Sequence, residues 1–193
     1  MPVTTLDPKT ALVVIDMQRG IMQLSTAHPS SVVLERVVEL VDAFRAAGLP
    51  VVLVNVGFSE DRADALKPRA DAQMPARALP ADFSQLVDEL HADPARDILI
   101  TKHQWGAFYG TGLDLQLRRR GVTGIVLCGI ATSIGVESTA RSAYEHGYNQ
   151  TFASDAMTDM FQDAHDNALT RIFPRMGEVD TTASILASLR RRV

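Results

Sequence analysis

Short, wholly apolar runs alternate along this chain with longer stretches whose apolar positions recur at helical spacing. Residues 11–15 read as a buried strand ending at Asp16, residues 51–54 as a second, and residues 98–101 as a third ending at Lys102. Residues 125–128 form a fourth, 150–153 a weaker fifth and 177–180 a sixth. Between them, residues 31–47 predict a helix with an inner stripe of Val33, Val37, Leu40, Val41 and Phe44. Ser30 or Ser31 would cap it, and Gly48 would follow its end. Further helices are predicted over 111–120 (capped by Thr111), 133–146, 163–173 (closed by Pro174) and 181–191. In the helix over 133–146, Val136, Ala140, Ala143 and Tyr144 would face inward, and Glu137, Arg141 and Glu145 would form an exposed ion-pair ladder.

Strands that are apolar throughout, separated by amphipathic helices, predict a mostly parallel sheet covered on both faces. Right-handed crossovers then give an α/β fold, a three-layer α/β/α domain spanning residues 1–193. Residues 58–97 break the rhythm with Pro68, Pro75, Pro80 and Pro94 and many charges. They predict a long surface excursion with a short helix over 84–91.

Composition changes this picture little. The apolar share of 46% and charged share of 22% are those of an ordinary soluble domain. A net charge of −4 lacks the basic face that nucleic-acid binding needs, so no nucleic-acid partner is expected. The clusters Arg118-Arg119-Arg120 and Arg190-Arg191-Arg192 end predicted helices, where cations complement the helix dipole. No run reaches the roughly 20 apolar residues that span a bilayer, and no secretory leader is recognisable, so no membrane partner is expected. The single cysteine, Cys128, lies in a buried strand and suits a small apolar core role. It cannot form an internal disulfide, which fits a reducing, cytoplasmic setting.

Chemistry concentrates at the strand ends. In an open parallel sheet, ligands bind beyond the carboxyl ends of the strands. There the chain places Asp16, Lys102 and the glycine-bracketed turn from Gly129 to Gly135, which opens a helix and directs backbone N–H groups outward. An acid and an amine at such ends can polarise each other and exchange protons, provided the strand order is 3-2-1-4. Gln18 and Arg19 lie just beyond Asp16 and could hold a carboxylate. Trp105 and Phe108, with Tyr109, could wall a planar ligand. His103 should turn away from Lys102 by strand alternation. Asp155 reads as structural, and His28, His91, His146 and His165 have no ligand-like spacing.

Val13-Val14-Ile15-Asp16-Met17-Gln18, then Thr101-Lys102, then Leu127-Cys128-Gly129-Ile130-Ala131-Thr132-Ser133-Ile134-Gly135-Val136-Glu137-Ser138-Thr139-Ala140-Arg141 resembles the isochorismatase-like hydrolases, a superfamily that also includes nicotinamidases and other cysteine amidases. The resemblance implies a six-stranded sheet of order 3-2-1-4-5-6, a catalytic Asp16 and Lys102, and a cis peptide at Ile130–Ala131. It also implies an oxyanion cradle built from Ile130, Ala131, Ile134 and Gly135. Where the amidases carry a nucleophilic cysteine, this chain has Gly135, as in a bacterial branch that shares the stretch from Lys102 to Thr111. The metal-binding members carry an Asp-x-His pattern after strand two. Residues 56–61 hold no histidine, so neither metal nor cofactor is expected. The Trp-Gly-Pro-Gly element of the true isochorismatases is also absent. The family commonly forms dimers or tetramers, which implies a homo-oligomer. Two readings stay open: a hydrolase of a small metabolite without a sulfur nucleophile, or a small-molecule-binding member that has lost the reaction.

Overall fold

The computed structural model describes residues 3–71 and 79–191; Pro75 and Arg192, both mentioned above, lie outside them. Six parallel strands form one sheet in the order β3-β2-β1-β4-β5-β6. They are β1 (Thr10–Ile15), β2 (Val51–Val56), β3 (Ile98–Lys102), β4 (Gly124–Ile130), β5 (Asn149–Thr158) and β6 (Glu178–Asp180). The helices are α1 (Arg19–Met22), α2 (Ser30–Ala46), α3 (Leu113–Arg119), α4 (Glu137–Glu145), α5 (Gln162–Asn167) and α6 (Thr182–Arg190).

β1 is buried at every position, as is β4, because both lie mid-sheet with packing on each face. One core cluster joins Leu12, Val14 and Leu53 to Val37, Leu40 and Phe44 of α2. The other joins Val13, Ile15 and Val54 to Leu113 and Leu117 of α3 and to Ala140 and Ala143 of α4. Alternate residues of one strand thus feed opposite faces, as the period of 2 requires. Cys128 is fully buried in the first cluster.

Several elements differ from the sequence expectation. Residues 84–91 make only a 3₁₀ turn at Asp88–Leu90. The segment before it runs antiparallel against residues 17–19, with Leu86 bridged to Gln18 and the Val87 N–H donating to Met17 O, and this pairing displaces the helix. Tyr144 is exposed, because the buried face of α4 is narrow and consists of Thr139, Ala140 and Ala143. α4 itself starts at Glu137, after a π-helical turn at Thr132–Val136. The helix expected over 163–173 is α5, a π-helical turn and a 3₁₀ turn in succession. The residue before α2 is Pro29, and Ser30 donates its hydroxyl to Met22 O instead of capping. The expected ladder on α4 includes the Arg141–Glu137 pair at 2.8 Å.

β5 is the largest departure. It continues past Ala153 to Thr158 through a bulge. Pairing runs Leu127 with Phe152 and then Gly129 with Met157, so Cys128 alone faces the four residues 153–156. Asp155, inside the bulge, accepts the N–H and hydroxyl of Thr182 and so ties down the start of α6. No helix among the described residues is long and apolar enough to cross a membrane.

β1 and β4 approach closely at Gly129, where φ is +116° and a Cβ would stand 2.0 Å from the Ile15 carbonyl oxygen. Gly129→Ala is therefore expected to cost about 3 kcal/mol or more. Gly48→Ala has a positive φ but open space around it, and should cost about 1–2 kcal/mol. Urea denaturation of both variants checks the contrast.

Candidate active site

Strand order brings the ends of β3, β2, β1 and β4 side by side, so Lys102 and Asp16 meet across the end of β2. Asp16 follows β1 with φ of +53°, a conformation in which aspartate is less penalised than most residues. Its Oδ2 accepts from Lys102 Nζ at 2.8 Å, and both side chains are nearly sealed, at 8% and 1% exposed. Lys102 Nζ also donates to Trp105 O at 2.6 Å. Asp16 Oδ1 is buried with no hydrogen-bond partner among the described residues. Burial raises the Asp16 pKa to about 6, against the opposing pull of the Lys102 ammonium. Desolvation outweighs the ion pair, so the acid can hold or release its proton near neutral pH.

Gly135 forms the third side. A Cβ there would lie 2.9 Å from Ile15 Cγ2, 3.2 Å from Lys102 Nζ and 3.3 Å from Asp16 Oδ2. The glycine thus sits directly against the acid–amine pair. Its carbonyl accepts from Thr139 Oγ1 at 2.7 Å. The Ile130–Ala131 peptide leading into this turn is cis. Ile130 and Ala131 are buried, Ile134 is partly so, and the Ala131 carbonyl accepts the N–H groups of Ile134 and Val136.

The remaining candidates divide. Trp105 supplies its carbonyl to Lys102 and leaves its ring exposed. Phe108 does not wall the site: it packs in the core against Tyr148 and His146. Gln18 is fully buried with its amide consumed, donating to Val56 O and Phe83 O and accepting the Val56 N–H. It acts as a strut between β2 and the long excursion, with no group left for a ligand. Arg19 is paired with Asp82 and Asp88. His103 turns outward to Gly57 O. Cys128 stands in the core, where burial pushes its thiol far above the ordinary range, and it offers no nucleophile. Among the described residues no group of three His, Cys, Asp or Glu is placed to hold a metal ion.

Two further polar residues brace the turn: Asp159, which the sequence does not mark, and His165, which its spacing sets aside as a surface or satisfied residue. Asp159, 1% exposed, accepts the Ser133 N–H on Oδ2 at 2.7 Å. His165, also buried, is hydrogen-bonded through Nδ1 to Thr132 Oγ1 at 2.8 Å. Burial, with His28 beside it, depresses the His165 pKa below the ordinary imidazole value. Asp159 follows a strand end, the signal that located Asp16. It escaped because polar Ser154 and Asp155 made β5 look finished at Ala153. Two hollows elsewhere do not touch the pair: one of about 240 Å³ at the amino ends of β1, β4 and β5, and a groove of about 550 Å³ between α2 and α6.

Residues 10–184 match the Isochorismatase domain family. The chain belongs to the isochorismatase family. It is 50% identical over 181 residues to the isochorismatase family protein YecD of Escherichia coli, covering 93% of this chain and 96% of that one. An isochorismatase family protein from Burkholderia thailandensis has a similar structure, with a TM-score of 0.93, 48% identity and 98% of each chain covered. More distantly, the chain is 34% identical over 206 residues to the ureidoacrylate amidohydrolase RutB of Methylorubrum extorquens, covering 93% of this chain and 82% of that one. The three motifs of this family member converge on one sheet end, and its Asp16 and Lys102 are in direct contact.

Lys102→Met removes the ammonium that favours the Asp16 carboxylate and leaves burial unopposed. The Asp16 titration midpoint should then rise above about 6, as read by carboxyl ¹³C NMR.

Proposed function

We propose that this isochorismatase family member is a hydrolase of a small anionic or planar metabolite that works without a sulfur nucleophile. Asp16 serves as the acid or base, Lys102 orients and polarises it, and the turn from Ile130 to Gly135 faces the developing oxyanion or a substrate carboxylate, without the N–H groups of Ser133 and Ile134, which are spent on Asp159 Oδ2 and Ala131 O. What carries this reading is the buried, unpartnered Oδ1 of Asp16, on a carboxyl whose pKa lies near 6, beside an ammonium and a bare glycine. A general acid or base is most effective when its pKa lies near the working pH. The bare glycine means that no covalent thioester can form at this position, so water is the attacking group. Trp105, with an exposed ring, is the candidate to cover a planar substrate. RutB is named for amide hydrolysis. Amides therefore belong among the test substrates beside enol ethers, which are cleaved by proton transfer to carbon and addition of water.

A second reading follows from Gly135 itself: a member that retains the pocket for binding and has lost the reaction. Turnover on a panel of enol ethers and amides separates the two. The parent should hydrolyse a member of the panel, and Asp16→Asn should lower the rate by about 10²–10⁴-fold. The rate should inflect near pH 6. It falls above that pH if Asp16 donates the proton and below it if Asp16 accepts one, and the inflection vanishes in Asp16→Asn. Activity untouched in Asp16→Asn would sink the mechanism. Amide cleavage gained only by Gly135→Cys would support the binding protein instead. We also propose a homo-oligomer, supported by the exposed Trp105 and Tyr109 on the segment after Lys102. Light scattering should return the mass of a dimer or tetramer, and a monomeric mass would contradict it.

A further inference from the structure

We propose that Asp159 is a positioning residue of the site: its carboxylate, through the Ser133 N–H, holds the turn that seats Gly135 against Asp16 and Lys102. This rests on the reading of those three residues as the site. The turn at Thr132–Val136 leaves the end of β4 and carries Gly135 back over Asp16. Three side chains tie it down. His165 holds the Thr132 hydroxyl, Thr139 holds the Gly135 carbonyl, and Asp159 holds the Ser133 backbone N–H.

Asp159 differs from the Thr139 tie. Thr139 lies in the same helical run as the turn it braces, four residues away, and moves with it. Asp159 is anchored to the sheet directly after β5, on the strand that pairs Ile130 with Thr158, so it relates the turn to the frame that also carries Asp16. The residue is itself locked: Oδ1 accepts the Phe161 N–H, the backbone carbonyl accepts the Ala27 N–H, and the side chain is sealed from solvent. It also stands at the amino end of the helical run that continues into α4, where a negative group is favoured. Asp159 reaches this position only because β5 continues beyond its bulge. Had the strand stopped at Ala153, no carboxylate would reach Ser133.

The consequence is local and measurable. If the tie is lost, the turn relaxes, Gly135 draws back, and water reaches the Asp16 carboxyl that Gly135 now helps to bury. The experiment follows the Asp16 carboxyl by ¹³C NMR in the full chain, with no substrate, alongside thermal unfolding. Asp159→Ala should move the Asp16 midpoint from about 6 down toward the ordinary value of about 4. Asp159→Asn keeps an oxygen that can accept the Ser133 N–H and should hold the midpoint near its parent value. Asp159→Glu keeps the charge but lengthens the arm, so it should shift the midpoint even if the alanine variant does not fold. Asp155→Ala serves as the control: it removes the tie to α6 from the same strand, should lower thermal stability, and should leave the Asp16 titration unchanged. An unchanged midpoint in both Asp159→Ala and Asp159→Glu would overturn the proposal, as would an equal shift in Asp155→Ala. Because this readout needs no turnover, an inactive parent protein would count against the hydrolase reading and not against the positioning role.

Discussion

The arrangement depends on one buried ion pair. Asp16 and Lys102 come from strands that are not neighbours, and they meet only because β2 ends between them at Val56. Burying an acid and an amine together is costly unless their partners are in place. Lys102 finds two acceptors, the Asp16 carboxylate and the Trp105 carbonyl, whereas Asp16 keeps one oxygen unmatched. Burial pushes the acid upward in pKa against the pull of the Lys102 ammonium and leaves it ready to exchange a proton.

Much of the surrounding structure serves to hold that pair dry and fixed. Gln18 spends its whole amide on Val56 and Phe83, joining β2 to the excursion after it. Gly129 lets β4 approach β1 more closely than a side chain would allow. Gly135 then allows the turn after β4 to close on the acid. The two glycines act through different constraints. The first removes a clash with backbone, and the second leaves space beside functional groups.

Family membership and chemistry separate at this point. The fold and the strand order are those of the isochorismatase family. In the reading proposed above, the bare position at Gly135 leaves no side chain there to attack, and the acid–amine pair beside it would work by proton transfer with water.

Much of this was legible in the sequence. The period of 2 in the strands and of 3.6 in the helices follows from backbone geometry alone, so the apolar runs located β1 to β4 and the core faces of α2 and α3. Strand ends carry ligands in such sheets, which singled out Asp16, Lys102 and the turn to Gly135. The full length of β5 was not legible, because its polar bulge residues are satisfied by β6 and α6, which lie distant in sequence. Asp159 was hidden for the same reason. Nor did local pattern reveal that Phe108 packs inward and that the Gln18 amide is consumed by distant carbonyls, since those partners are chosen by packing. Sequence by itself determined which residues could form strands and which carry chemistry. Tertiary structure alone decided which polar groups find partners and which, Asp16 Oδ1 among them, are left without one among the described residues, because that depends on atoms brought together only when the sheet assembles.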